Sequence, residues 1–239
     1  IKLSVTKDPD AEGDISQFGA LCTALSATIG TGNIIGVGTA IYLGGPGAVL
    51  WCWLTGVLGI STKYAEGLLA VKYRIRTPQG KMLGGPMYAL ERGMGMKRLA
   101  VLFCIFTVCA SFGIGNLVQS NAISMLCYET YRVPQALTGT AVAVCVALVV
   151  IFGVKGIARV CSAFVPLMAA LYFLGCCYIL CVNGGYVWDA VKLIVESAFR
   201  PEAAGGGFVG GSVIMTARYG IARGLFSNES GMGSAPIVA

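Results

Sequence analysis

The chain has 239 residues, of which 56% are hydrophobic and only 12% are charged. Because a soluble domain carries about 25% charged residues, this composition predicts a protein that is solvated by the lipid bilayer. The formal net charge is +6, but the basic residues cluster in loops between apolar stretches, so we expect no nucleic-acid partner. Histidine is absent, which excludes Ser–His and Cys–His catalysis and histidine metal sites. We therefore expect neither enzyme activity nor an organic cofactor.

Apolar stretches long enough to cross a bilayer recur along the chain. A transmembrane helix needs about 20 mostly apolar residues, and the chain contains five such stretches and the beginning of a sixth. The predicted spans are 16–43, 46–73, 99–126, 134–154 and 157–182, and the sixth begins near Val209. Between the fifth and sixth, apolar residues at helical spacing predict a short interfacial helix over 186–199. The fold class is therefore an all-α integral membrane protein.

The distribution of lysine and arginine predicts the orientation of these spans. Loops on the N-terminal side of the first span hold eleven of these residues, whereas loops on the opposite side hold three. Cytoplasmic loops carry the excess of positive charge. We expect a multi-pass protein of the cell membrane with the N-terminal side of its first span in the cytoplasm.

The first span is interrupted near its centre by residues that break helices. Gly30, Thr31, Gly32 and Asn33 follow one another there, and glycine, threonine and asparagine are all poor in helix interiors. Unwound backbone at this depth is found where protein or a water-filled cavity satisfies it, and transporters use such breaks to bind ions and carboxylates. A helix-packing motif at Gly32-x-x-x-Gly36 is the main alternative. The spacing does not fit a nucleotide-binding loop, and a selectivity filter would need short re-entrant helices.

An internal repeat supports a binding site at this break. The pattern Asn33-x-x-Gly36-x-Gly38-Thr39-Ala40 recurs 195 residues later as Asn228-x-x-Gly231-x-Gly233-Ser234-Ala235. With five spans between the starts of the two segments, they run in opposite directions across the membrane. Paired broken helices in two inverted halves indicate a transporter binding site. We therefore expect Asn33 and Asn228 to border one central pocket.

Charged residues inside spans are candidates for function. Lys63 and Glu66 lie three residues apart on the second span, and we expect them to pair near the cytoplasmic edge. Arg218, Arg223 and Glu229 lie within or near the last segment. The sequence leaves open whether Arg223 and Glu229 gate a pathway or stabilise the break.

Several long segments resemble the alanine/glycine:cation symporter family, the sodium–alanine symporters. The segments are GDISQFGALCTALSATIGTGNIIGVGTAIYLGGPGAVLWCWLTGVLG, KYAEGLLAVKYR, GGPMYAL, GIGNLVQSNAIS and RGLFSNESGMGSAP, which extend from Gly13 to Pro236. Gly38 and Ser230 stand where many members carry alanine. The resemblance implies a LeuT-type fold of two inverted five-helix repeats. It divides this chain into a polar segment (1–15), a five-helix first repeat (16–182), an external loop with the interfacial helix (183–208) and the start of the second repeat with its broken helix (209–239), all within one partial transmembrane domain.

The same resemblance implies the site residues. The substrate-binding residues would be Gly30, Thr31, Gly32, Asn33, Gln119, Asn121, Phe226, Ser227 and Asn228. The coupling ion Na⁺ would lie near backbone oxygens of Thr28, Gly30 and Thr31. Gln119 and Asn121 could instead bond only to neighbouring helices.

The predicted function is sodium-coupled symport of small neutral amino acids, namely alanine, glycine or glutamine, by alternating access. The alternative is a channel or a membrane scaffold that does not transport. We expect a monomer surrounded by lipid. Because the eighth core helix expected of the family is not in this sequence, we expect the chain to be part of a longer protein.

Overall fold

A computed structural model describes residues 13–199 and 213–237 and shows a mostly helical chain. The helices are α1 (Gln17–Thr28), α2 (Val37–Gly44), α3 (Ala48–Tyr73), α4 (Pro86–Tyr88), α5 (Lys97–Ala110), α6 (Leu117–Tyr131), α7 (Gln135–Val150), α8 (Gly153–Val182), α9 (Gly184–Phe199) and α10 (Val213–Asn228). Three π-helical turns connect neighbouring helices, at Gly32–Gly36, Ala89–Gly93 and Ser111–Gly115. Two short antiparallel strands, β1 (Ile75–Arg76) and β2 (Met82–Leu83), form a hairpin after α3.

The predicted interruption of the first span is present. α1 ends at Thr28, residues 29 and 30 are bent, and the chain becomes helical again with the π turn that starts at Gly32. α10 likewise ends at Asn228, and a stretch of turns follows it before a single 3₁₀ turn at Ala235–Ile237. The predicted start of the sixth span near Val209 and most of the polar segment 1–15 lie outside the described residues.

Three of the observed helices differ in their bounds from the predicted spans. The third span is longer than predicted, because α5, a π turn and α6 form one continuous apolar helical segment from Lys97 to Tyr131. The fourth span ends at Val150, and the chain turns before Gly153, whose φ of 64° suits glycine. The fifth helix consequently begins four residues before the predicted Ile157.

Among the described residues, two helices are long and apolar enough to cross a membrane, Lys97–Tyr131 and Gly153–Val182. The pair Gln17–Thr28 and Gly32–Gly44 passes the same test as one broken span. α7 is apolar but has only 16 residues, and α3 has 26 residues but carries Lys63, Glu66 and Lys72. The predicted count of five complete spans stays a prediction.

Small side chains occupy the interior, and large apolar side chains lie on the outside. The buried residues include Cys22, Ala40, Ala48, Ala158 and Thr216, whereas many large hydrophobic residues are exposed, for example Leu58, Phe106, Leu174 and Ile214. A soluble protein of this size would hide such apolar surface. Helices that pack through small residues and turn large ones outward are typical of proteins in lipid.

The described residues form two compact units. Of these residues, the first unit contains 13–27, 66–166 and 233–237, and the second contains 28–65, 167–199 and 213–232. The first boundary coincides with the end of α1, and others fall inside α3 and α8. The second unit contains the resumed half of the first span, the first part of α3, and α10.

Within the second unit, α10 packs closely on α3 through two glycines four residues apart. A methyl group added at Gly220 would lie 2.6 Å from Cβ of Trp51, and one added at Gly224 would lie 2.7 Å from Cβ of Thr55. Both distances are too short for a carbon contact. Gly220-x-x-x-Gly224 is therefore a small-residue packing motif that sets how near α10 lies to α3.

Gly224→Ala is expected to destabilise the full-length protein, because overpacking a tight contact costs about 1–3 kcal/mol. The matched control is Gly175→Ala on α8, where no atom lies within 4 Å of the added methyl group and alanine favours the helix. Thermal unfolding of the two purified variants in detergent measures the difference. Equal unfolding temperatures for Gly224→Ala and the parent would contradict the packing role.

Candidate functional site

The second unit contains the resumed half of the broken first span and the end of α10. At the break, Thr31 precedes the π turn, and the backbone N–H of Asn33 donates to the carbonyl of Gly30 at 3.0 Å. In a π turn the donor N–H lies five residues after its acceptor carbonyl, and such turns are frequent at functional sites. The local cause is the run of helix breakers that the sequence contains between Gly30 and Asn33.

The side chain of Asn33 connects the two sides of the break with α10. Its Nδ2 donates to the carbonyl of Thr28 at 2.8 Å, and its Oδ1 accepts from the hydroxyl of Ser227 at 2.7 Å. Asn33 and Ser227 are separated by 194 residues, and both belong to the predicted set. The structure therefore brings the break of the first span and the end of α10 into direct contact at these two residues.

The end of α10 is held by a lysine on α3. Nζ of Lys63 donates to the carbonyl of Asn228 at 3.2 Å and lies 3.8 Å from Oε2 of Glu229. The sequence predicted a pair between Lys63 and Glu66, but in the structure Lys63 forms its ion pair with Glu229. Oε2 of Glu66 is buried without a hydrogen-bond partner within the described chain. Lys63 pairs with Glu229 because its ammonium group is attracted both by that carboxylate and by the partial negative charge of the carbonyls at the end of α10.

The two copies of the internal repeat differ in conformation. Asn33 lies just after a break, inside the π turn, whereas Asn228 is the last residue of α10. After Asn228 the backbone of Glu229 has a φ of 50° and that of Gly231 a φ of 81°. The side-chain amide of Asn228 lies beside α3, with Nδ2 3.5 Å from the position of a methyl group added at Gly56. In the described structure Ser227, rather than Asn228, meets Asn33.

Arg223 lies across the π turn, one helical turn before Ser227. Its guanidinium occupies the space that a side chain at Gly32 or Gly36 would fill. Its guanidinium carbon Cζ lies 5.1 Å from the ring centre of Phe226, which is a cation–π distance. Its Nε is buried without a hydrogen-bond partner in the described structure. The Gly32-x-x-x-Gly36 motif thus does serve packing, but the group that it receives is an arginine.

The carbonyls of Thr28 and Gly30, both predicted sodium ligands, accept hydrogen bonds from Asn33. The carbonyl of Thr28 accepts from the Asn33 side chain, and the carbonyl of Gly30 accepts from its backbone. Because a carbonyl oxygen has two lone pairs, one oxygen can accept a hydrogen bond and also contact an ion. Neutral carbonyl oxygens fit the preference of a hard cation, and Asn33 holds both of them in place.

The remaining predicted residues lie in the first unit. Gln119 and Asn121 are on α6, where Gln119 is half-buried and Asn121 is exposed. Their predicted contact with substrate stays a prediction.

The whole chain, residues 1–239, matches the sodium:alanine symporter family. This chain belongs to that family. An uncharacterized transporter of Haemophilus influenzae is 53% identical over 98% of this chain and 51% of its own length. The sodium/alanine symporter AgcS of Methanococcus maripaludis is 46% identical over 100% of this chain and 53% of its own. The probable sodium/glutamine symporter GlnT of Bacillus subtilis is 35% identical over 96% and 47%.

Family membership confirms the resemblance that the sequence motifs indicated. The family is one of membrane transporters and not of enzymes, and this chain is a membrane protein. The chain spans about half the length of the curated relatives that it matches.

Sequence reasoning missed two features of this site. The role of Lys63 could not be read from its neighbours, because its partners lie 165 and 166 residues away. The Gly220-x-x-x-Gly224 motif was visible as a small-residue pair in an apolar segment, and this signal could have identified the face of α10 that packs on α3.

Proposed function

We propose that this chain is the part of a sodium-coupled symporter that holds a small neutral amino acid and Na⁺ at the break of the first span. The observation that carries the proposal is the hydrogen bond between Asn33 and Ser227, which joins the two interrupted segments of the second unit. At such a break, backbone N–H and C=O groups that would bond to each other in an unbroken helix can contact a ligand instead.

The chemistry of the break suits an amino acid. The substrate carboxylate needs N–H or O–H donors, and its ammonium group needs oxygen acceptors. The bent backbone at Gly30 and the start of the π turn at Thr31 and Gly32 would supply backbone groups of both kinds, and the side chains of Asn33 and Ser227 add a polar pair. Phe226 and Asn228 flank Ser227 on α10 and are further proposed contacts. Sodium would bind near the carbonyls of Thr28, Gly30 and Thr31.

The printed names of the relatives support the substrate class. One is a sodium/alanine symporter and another a probable sodium/glutamine symporter. We propose alanine, glycine or glutamine as substrate, transport by alternating access, and a monomeric protein of the cell membrane with the N-terminal side of the first span in the cytoplasm. The broken first span carries no acidic or basic residue between Gln17 and Gly44, so an ion rather than a proton-carrying side chain is the proposed coupling agent there.

Uptake by the full-length transporter in liposomes tests this function. We expect saturable uptake of alanine or glycine that requires an inward sodium gradient and stops when choline replaces sodium. Uptake that continues in choline and follows a pH gradient would contradict sodium coupling. A flux that rises linearly with voltage and does not saturate would indicate a channel, and the absence of any flux would indicate a scaffold.

A further inference from the structure

The end of α10 and the residues that follow it make several contacts with α3. The last carbonyls of a helix have no backbone partner and carry a partial negative charge. Nζ of Lys63 donates to one of these carbonyls, that of Asn228, at 3.2 Å. A lysine inside a membrane protein is tolerated where it pairs with an acid or with backbone carbonyls, and Lys63 does both.

The residues after Asn228 are held by the same face of α3. Glu229 has a left-handed backbone that is uncommon for a residue with a side chain, and its carboxylate lies 3.8 Å from Nζ of Lys63. Ser230 is 5% exposed and donates its hydroxyl to the carbonyl of Gly59 at 3.1 Å. A methyl group added at Gly59 would lie 2.7 Å from that hydroxyl oxygen. Three consecutive residues therefore attach to a single helix face that includes Lys63.

Asn228, whose carbonyl accepts from Lys63, directly follows Ser227 in the chain. Because Ser227 donates to Asn33, any displacement of Asn228 moves the hydroxyl that joins the two broken segments. The ion pair is partly shielded, with side chains 29% exposed for Lys63 and 21% for Glu229. A shielded and charged contact is stronger and more directional than one at the surface.

We infer that Lys63 is a positioning residue for the proposed amino-acid site: its ammonium group holds the end of α10 so that Ser227 meets Asn33. This inference rests on the proposed function. Lys63 acts through Asn228 and Glu229 and needs no contact with the substrate.

The test measures substrate affinity of the purified full-length transporter with Lys63→Gln, Ser227→Ala and the two combined. A hydrogen bond to a charged group contributes enough to change affinity about tenfold or more. We expect about a tenfold weaker affinity for each single variant. If Lys63 acts through Ser227, adding Ser227→Ala to Lys63→Gln should weaken affinity by less than about a further twofold.

Two further variants separate positioning from loss of charge or of folding. Lys72→Gln removes the same charge from the far end of the same helix, where Lys72 is exposed, and should bind like the parent. If Lys63→Gln fails to fold, the combined Lys63→Met and Glu229→Gln replaces it, since removing both partners leaves no unpaired charge. This variant lacks the donor to Asn228 and should show the same loss and the same non-additivity with Ser227→Ala.

The possible outcomes distinguish this inference from the proposed function. Losses from Lys63→Gln and Ser227→Ala that multiply in the combined variant would overturn the positioning role, and so would a Lys63→Gln protein that binds like the parent. If Ser227→Ala and Asn33→Leu bind substrate normally with Lys63 intact, the proposed site itself is wrong.

Discussion

Replacing Asn33 with leucine is expected to weaken substrate binding roughly ten- to a hundredfold. Leucine has similar bulk but removes the donor that reaches Thr28 and the acceptor that receives Ser227. A hydrogen bond between neutral groups contributes about 0.5–1.5 kcal/mol, so the loss of both corresponds to about one to two powers of ten in affinity. Membrane insertion should not suffer, because lipid tolerates leucine better than asparagine. Affinity for substrate and for sodium in the purified full-length transporter measures the effect.

The control for this experiment is Cys145→Ala. Cys145 lies on α7 and is exposed, so its replacement should leave affinity unchanged. Asn228→Leu is the companion variant, and we expect it also to weaken binding. If both Asn→Leu proteins insert normally and bind substrate as tightly as the parent, the repeat reflects helix packing alone and the site lies elsewhere.

Gly36→Ala is expected to reduce sodium-driven uptake by about tenfold. The added methyl group would occupy the place of the Arg223 guanidinium, which would have to leave the π turn and its contact with Phe226. Overpacking costs about 1–3 kcal/mol, and a displaced arginine must find another partner within the membrane. Initial rates of uptake in liposomes at saturating sodium provide the measurement.

Gly38→Ala is the matched control, two residues along the same segment. Nothing lies within 4 Å of a methyl group at Gly38, so the same chemical change should leave uptake near that of the parent. Equal uptake rates for Gly36→Ala and the parent would show that uptake does not require the Arg223 guanidinium to lie over the π turn. A loss shared by both variants would point to the helix backbone rather than to the arginine.

The sequence predicted the parts of the fold that depend on local composition. Apolar length and the scarcity of charge indicated a helical membrane protein, and the helix breakers from Gly30 to Asn33 indicated where the first span is interrupted. Both follow from short-range physics, namely transfer of side chains into lipid and the helix propensity of single residues. Boundaries were less accurate, as at Gly153, since a turn depends on one residue with a positive φ.

The partners of the polar side chains needed the tertiary structure. The repeat pointed to Asn228 at the end of α10, whereas Ser227 forms the hydrogen bond with Asn33. One residue along a helix turns a side chain by about 100°, so a sequence match cannot decide which neighbour faces the break.

The sequence by itself determined that this chain is a helical membrane protein of the sodium:alanine symporter family with a broken first span. Only the tertiary structure decided that Lys63 pairs with Glu229 instead of Glu66, and that Gly32 and Gly36 make room for Arg223. The physical reason is distance along the chain. Hydropathy and propensity act within one segment, whereas these contacts join residues more than 160 positions apart and depend on how closely α10 can approach its neighbours.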